Sequence, residues 1–182
     1  KAGYPDGVFQ INDLNILSWD KIGEGNGVEI HSITRMRNVF IKNFGGHGLF
    51  ISADVGNHAS NASNSKIDYI QVAECGKDGI HIRGGDANAI SFYDCDVRDC
   101  GGVGINDDSF LGCKFFNPMV HECKGGAYRA MNGNNRTEFF GAYMEGGQGD
   151  SEIGGVTHVY GGICGPGSQW VARSPWCKID QE

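Results

Sequence analysis

The chain has 182 residues, among them 30 glycines and four prolines, and a formal charge of −7. That length suits one domain with a continuous core, and so much glycine favours short strands and tight turns over helices. The acidic balance argues against nucleic acid and anionic membrane as partners, and no apolar run approaches the roughly 20 residues of a membrane span.

Taken in order, the first clear alternation of apolar and polar residues is NVFIKN at 38–43, a predicted strand. Phe44 and a glycine corner follow, then the short strand GLFI at 48–51. SADVGNHASNASNS (52–65) reads as a long polar loop. The strand pattern resumes in DYIQVAE (68–74), turns after Cys75, and continues in GIHI (79–82). A loop at 83–91 leads to YDCDVRD (93–99), Cys100 and a further glycine corner. FNPMVHE (116–122), Cys123 and a loop at 132–138 make the next round, and YMEGGQGDSEI (143–153) a weaker one. Residues 1–160 are therefore predicted to be coils of one repeating structure. Residues 161–182 are predicted to be an irregular C-terminal tail or a cap.

The segments VAECGKDGIHI (72–82) and VRDCGGVGIND (97–107) carry the repeat most plainly. Anchored on Phe44, Cys75, Cys100, Cys123 and Gly146, its steps are 31, 25, 23 and 23 residues. Such periods belong to solenoids. With two or three short strands per step and no helix between them, the predicted fold is all-β, a right-handed parallel β-helix with coils of about 23–31 residues. Cys75, Cys100 and Cys123 then form one inward column, open to three readings: inert thiols, a single disulfide, or a metal site. The seven cysteines include no CxxC and no zinc-type spacing. Cys164 and Cys177, in the tail, are the better candidates for a disulfide.

At GGDANAISFYDCDVRDCGGVGINDDSFLGCKFF (84–116) the sequence resembles the parallel β-helix proteins of the pectate-lyase-like superfamily. It is especially similar to the bacterial and phage branch that includes tailspike depolymerases, over roughly residues 8–160. The resemblance implies an extracellular or virion protein that meets polysaccharide. It also implies a homo-oligomer, a trimer, or a part of a larger chain or assembly. It leaves the reaction open, because fold does not fix function.

Stacking turns sequence spacing into adjacency, and two columns could carry chemistry. Asn43, Glu74, Asp99, Glu122 and Glu145 precede the anchors, so carboxylates recur about 5 Å apart, where two charges repel by about 3–4 kcal/mol at an effective dielectric near 20. Solvent, Ca²⁺, a shared proton or the neighbours Arg98, His121 and Lys124 could offset that. Paired carboxylates serve glycoside hydrolysis, and Arg98 or His121 could be the base of a lyase. The plainer reading is a solvated corner of turn residues.

The second column, Phe50, His81, Asn106 and Arg129, flanked by Arg83, Asp107 and Asp108, reads as a shallow sugar groove or as a solvated sheet face. His47 and His58 read as isolated surface residues, and Trp19, Trp170 and Trp176 as caps or partner contacts. Asn61 and Asn135 head N-x-S/T sites. The expected function is to bind and cleave an acidic or complex polysaccharide, as a lyase or glycoside hydrolase. The alternative is a non-catalytic adhesion module of a phage tail or surface filament.

Overall fold

The computed structural model describes residues 8–21, 23–53 and 60–180; His58 lies outside them. These residues form strands and no helix, hence none long and apolar enough to cross a membrane. The strands are β1 (Phe9–Leu17), β2 (Val28–Ile30), β3 (Thr34–Lys42), β4 (Leu49–Ser52), β5 (Lys66–Ala73), β6 (Ile80–Gly84), β7 (Ser91–Tyr93), β8 (Asp96–Arg98) and β9 (Ile105–Ser109). They continue with β10 (Lys114–Phe116), β11 (Met119–His121), β12 (Tyr128–Ala130), β13 (Glu138–Glu145), β14 (Ser151–Ile153), β15 (His158–Cys164), β16 (Trp170–Ala172) and β17 (Lys178–Asp180).

The strand pairings are parallel and join elements about one coil apart, so the chain is a β-solenoid of about seven turns. One sheet runs β2-β4-β6-β9-β12-β14-β16; the other, ten-stranded, holds the rest. The ten-stranded sheet is bent along a line of left-handed residues: Asp13, Asn38, Tyr69, Asp94, Asn117, Gly141 and Gly161, with φ between 49° and 64°. Each occupies the next place in register above the last. In two coils the bend breaks the strand outright, giving the pairs β7/β8 and β10/β11.

Inside, the predicted cysteine column is present. Gly76 N–H donates to Phe44 O, Gly101 N–H to Cys75 O and Lys124 N–H to Cys100 O, so each anchor sits on the one below. Cys75, Cys100 and Cys123 are buried, and each thiol faces the carbonyl two residues back at 3.4 Å. Hydrogen bonding along the column, together with burial, raises the Cys75 and Cys100 thiols, the latter to about 12. These two thiols are inert packing at neutral pH, whereas the hydrogen bond with Cys100 lowers the Cys123 thiol. Val72, Val97 and Val120 stack in register beside them, and Phe92, Phe115 and Phe139 form a ring column with centroids 4.6 and 5.1 Å apart.

The repeated glycine corner has a steric cause. A Cβ on Gly79 would meet Val97 Cγ1 and Gly104 O of the next coil, and one on Gly104 would meet Val120 Cγ1 and Ala127 O. At Gly79 and Gly104 the missing side chain lets successive corners nest, and the next coil carries the small Ala127 at this place.

Beyond residue 160 the stacking continues: β16 pairs with β14 and β17 with β15, adding another coil. Cys177 Sγ lies 3.4 Å from Gly154 O. Trp170 stacks on Tyr128 at 5.0 Å and covers that end of the core, whereas Trp19 and Trp176 are exposed. Asn135 is fully buried with its amide bonded to Asp107 O and Ser109 O, so its N-x-T site is inaccessible in the folded chain.

Candidate functional site

The acidic corner is real as a column. Asn43, Glu74, Asp99 and Glu122 all have φ between 51° and 67°, and each strand before them ends in register, with Ala73 beside Arg98 and Arg98 beside His121. Glu145 does not belong to it. It pairs with His121, so Gly146, at φ 65°, follows Glu122. The common feature is therefore a backbone bend, which accounts for Asn43, Asp99 and Gly146 by their ease in the left-handed region, while Glu74 and Glu122 adopt it as well. Glu74 is bonded to Lys42 at 2.9 Å, which holds its carboxyl below the usual range. Asp99, Glu122 and Arg98 are exposed, and none of the hollows at the bend is lined by this column.

On the seven-stranded sheet the predicted row is confirmed by register: Phe50 beside His81, His81 beside Asn106, Asn106 beside Arg129. It is a network more than an open groove. His47 stacks on Phe50 with centroids 5.4 Å apart and planes 16° apart, occupying the face a sugar ring would need. Asn106 Nδ2 donates to Asp78 Oδ2 at 3.0 Å, and His81 Nδ1 lies 2.7 Å from the same oxygen. Asp78 Oδ1 accepts the Val103 N–H at 2.8 Å.

Two members, His47 and Asp78, escape a strand-based reading because they lie on corners. Both fall three residues after an anchor, at Phe44 and Cys75. Arg83 and Asp108 are exposed neighbours in register.

Asp107 is not part of that face. Alternation along β9 turns it inward beside Ile82, with no exposed surface. Its carboxylate accepts the Ser109 and Cys113 N–H groups at 3.0 and 3.1 Å and the Thr137 hydroxyl at 2.5 Å. Burial raises its pKa while those donors pull it back. It is a structural centre of the core.

A concave surface lies at the bend of the ten-stranded sheet. The first of three adjoining hollows, of about 670, 460 and 300 Å³, is lined by Asn12, Asp13, Arg37, Asn38, Asp68, Tyr69 and Asp94. The second shares Asn12, Arg37, Asp68 and Asp94 with it and adds Arg35, Met36, Lys66 and Tyr93, while the third shares Asp13, Asn38 and Tyr69. Carboxylates and cations are both present, Arg37 Nε lying 3.5 Å from Asp68 Oδ2, and Asn38 donates to Asp13 at 2.7 Å.

Two rings meet this groove. Tyr93, Phe116, Phe140 and Tyr160 form an outward ladder with centroids 5.0, 5.0 and 4.9 Å apart, nearly parallel. The rings inside the ladder cover one another. At its end the register partner of Tyr93 is Asp68, so the outer face of Tyr93 carries no ring and fronts the hollow. Tyr69 is 53% exposed and occupies a left-handed position, φ 50°, that the neighbouring coils give to Asp, Asn or Gly. A bulky side chain there costs roughly 1–2 kcal/mol. Strain of this kind, kept at an exposed aromatic in a groove, points to use.

Comparison with protein families, curated proteins and solved structures found no match.

Proposed function

We propose that this chain is a polysaccharide-binding β-solenoid that holds a sugar chain along the bend, with Tyr69 and the outer face of Tyr93 as stacking surfaces. The strained, exposed Tyr69 carries the reading. Pyranose rings stack on aromatic faces, while Asn12, Asn38, Arg37 and Asp94 supply hydroxyl-directed donors and acceptors in a trough open to solvent. The near balance of acidic and basic groups favours a neutral or complex polymer over a uniformly anionic one. An extracellular or virion setting and a trimeric assembly are what the tailspike-like resemblance adds to this proposal. Asp68 and Asp94 share one hollow, the kind of carboxylate pair glycoside hydrolysis requires, so cleavage is the second reading.

The test is a panel of bacterial capsular polymers, alginate and pectin, followed by binding titration, by reducing-end assay and by ultraviolet absorbance of unsaturated sugar ends. Saturable binding with new ends supports the enzyme reading; binding alone supports adhesion. Silence in all three assays overturns the proposal. The replacement Tyr69→Asn separates function from folding. Restoring the residue type of the neighbouring coils is expected to raise stability by about 0.5–1 kcal/mol, while the lost ring contact weakens binding about tenfold.

A further inference from the structure

We propose that His47, Asp78 and His81 form a binding site for a divalent transition-metal ion, separate from the groove at the bend. The three side chains come from two successive coils. Gly48 N–H donates to Asp78 O at 3.1 Å, which seats the His47 corner against the Asp78 corner, and His81 stands on β6 just beyond. Their ligand atoms, two imidazole nitrogens and one carboxylate oxygen, all lie within 4.8 Å of one another. His81 Nδ1 is 2.7 Å and His47 Nδ1 is 3.7 Å from Asp78 Oδ2. Metal bonds of about 2.0–2.2 Å place the ligands of a tetrahedral ion roughly 3.3–3.5 Å apart, so small shifts of the rings would admit one.

The chemistry of each donor fits. His47 Nδ1 accepts the Asp78 N–H at 3.2 Å, which fixes the ring against the Asp78 corner, and a bound ion would take this lone pair in place of that hydrogen bond. Outer contacts hold the carboxylate: Val103 N–H on Oδ1 at 2.8 Å and Asn106 Nδ2 on Oδ2 at 3.0 Å. Such second contacts orient ligands and sharpen affinity. The side chains are 18, 13 and 19% exposed, so solvent reaches the cluster. Two nitrogens and one oxygen suit Zn²⁺ or its neighbours better than Ca²⁺ or Mg²⁺, which prefer oxygen alone.

The experiment titrates the full chain with Zn²⁺ against a competing chelator, and with Co²⁺ for its visible spectrum. One saturable site per chain is expected, with cobalt bands lacking sulfur-to-metal charge transfer. His47→Gln and His81→Gln, each first shown to keep the wild-type β circular dichroism, are expected to weaken binding at least about 10–100-fold. Absence of a saturable site, sulfur charge transfer marking the cysteine column, or wild-type affinity in both variants would each overturn the assignment. Polysaccharide binding by the same variants should be unchanged, because none of the three residues lines the groove.

Discussion

Replacing Asp107 with alanine is expected to lower the unfolding free energy by about 3–5 kcal/mol, because it strands three buried donors that cost about 1–3 kcal/mol each. The Ser109 and Cys113 N–H groups and the Thr137 hydroxyl all end on this carboxylate. The same polar seam continues through Asn135, which accepts the Thr137 N–H at 2.8 Å and the Thr157 hydroxyl at 3.4 Å. Loss of Asp107 therefore loosens the loops of neighbouring coils together. Urea unfolding should show a lower midpoint with an unchanged slope. A loss below about 1 kcal/mol would mean that water or another acceptor takes over.

The second large effect belongs to the nested corners. Gly79→Ala is expected to cost about 1–3 kcal/mol and Gly79→Val more, since each added atom is driven into packed neighbours. Those neighbours are Val97 of the core and the Gly104 carbonyl of the next coil. The carbonyl cannot retreat without breaking its bond from the Ile80 N–H, and Val97 yields only by disturbing the packed core. Gly85 is the control: a Cβ there meets nothing within 4 Å, so Gly85→Ala should be neutral or gain about 0.4–1 kcal/mol through the unfolded chain. Thermal unfolding of the three variants ranks them. Equal melting temperatures for Gly79→Ala and Gly85→Ala would refute the steric account.

Much of this fold was legible in the sequence because a parallel stack writes its geometry as a period. The Cys75, Cys100 and Cys123 column and the Phe50, His81, Asn106 and Arg129 row both follow from spacing, and both appear in register. One residue undid the last step. The pairing of His121 with Glu145 makes that coil 24 residues from Cys123, so a carboxylate assigned to the acidic corner belongs to the strand before it.

Asp107 was misplaced for a different reason. Its charge suggested solvent, although alternation and its alignment with Ile82 put it inside. The bend groove is not marked by the repeat's anchors. Six residues before them stand Asn38, Tyr69, Asp94 and Asn117, a run of left-handed formers interrupted once. Composition at a fixed offset could have shown the bend. That the bend is concave could not be read from letters, because curvature depends on side-chain volumes across several coils.

The claim on which the functional account rests is that a sugar chain lies in the bend. Crystals of the chain soaked with an oligosaccharide from a polymer that binds in solution test it most directly. The account predicts electron density for pyranose rings against Tyr69 and the outer face of Tyr93, within reach of Arg37, Asp68 and Asp94. Density instead on the Phe50 to Arg129 face, or at the corner of Glu74, Asp99 and Glu122, would contradict it.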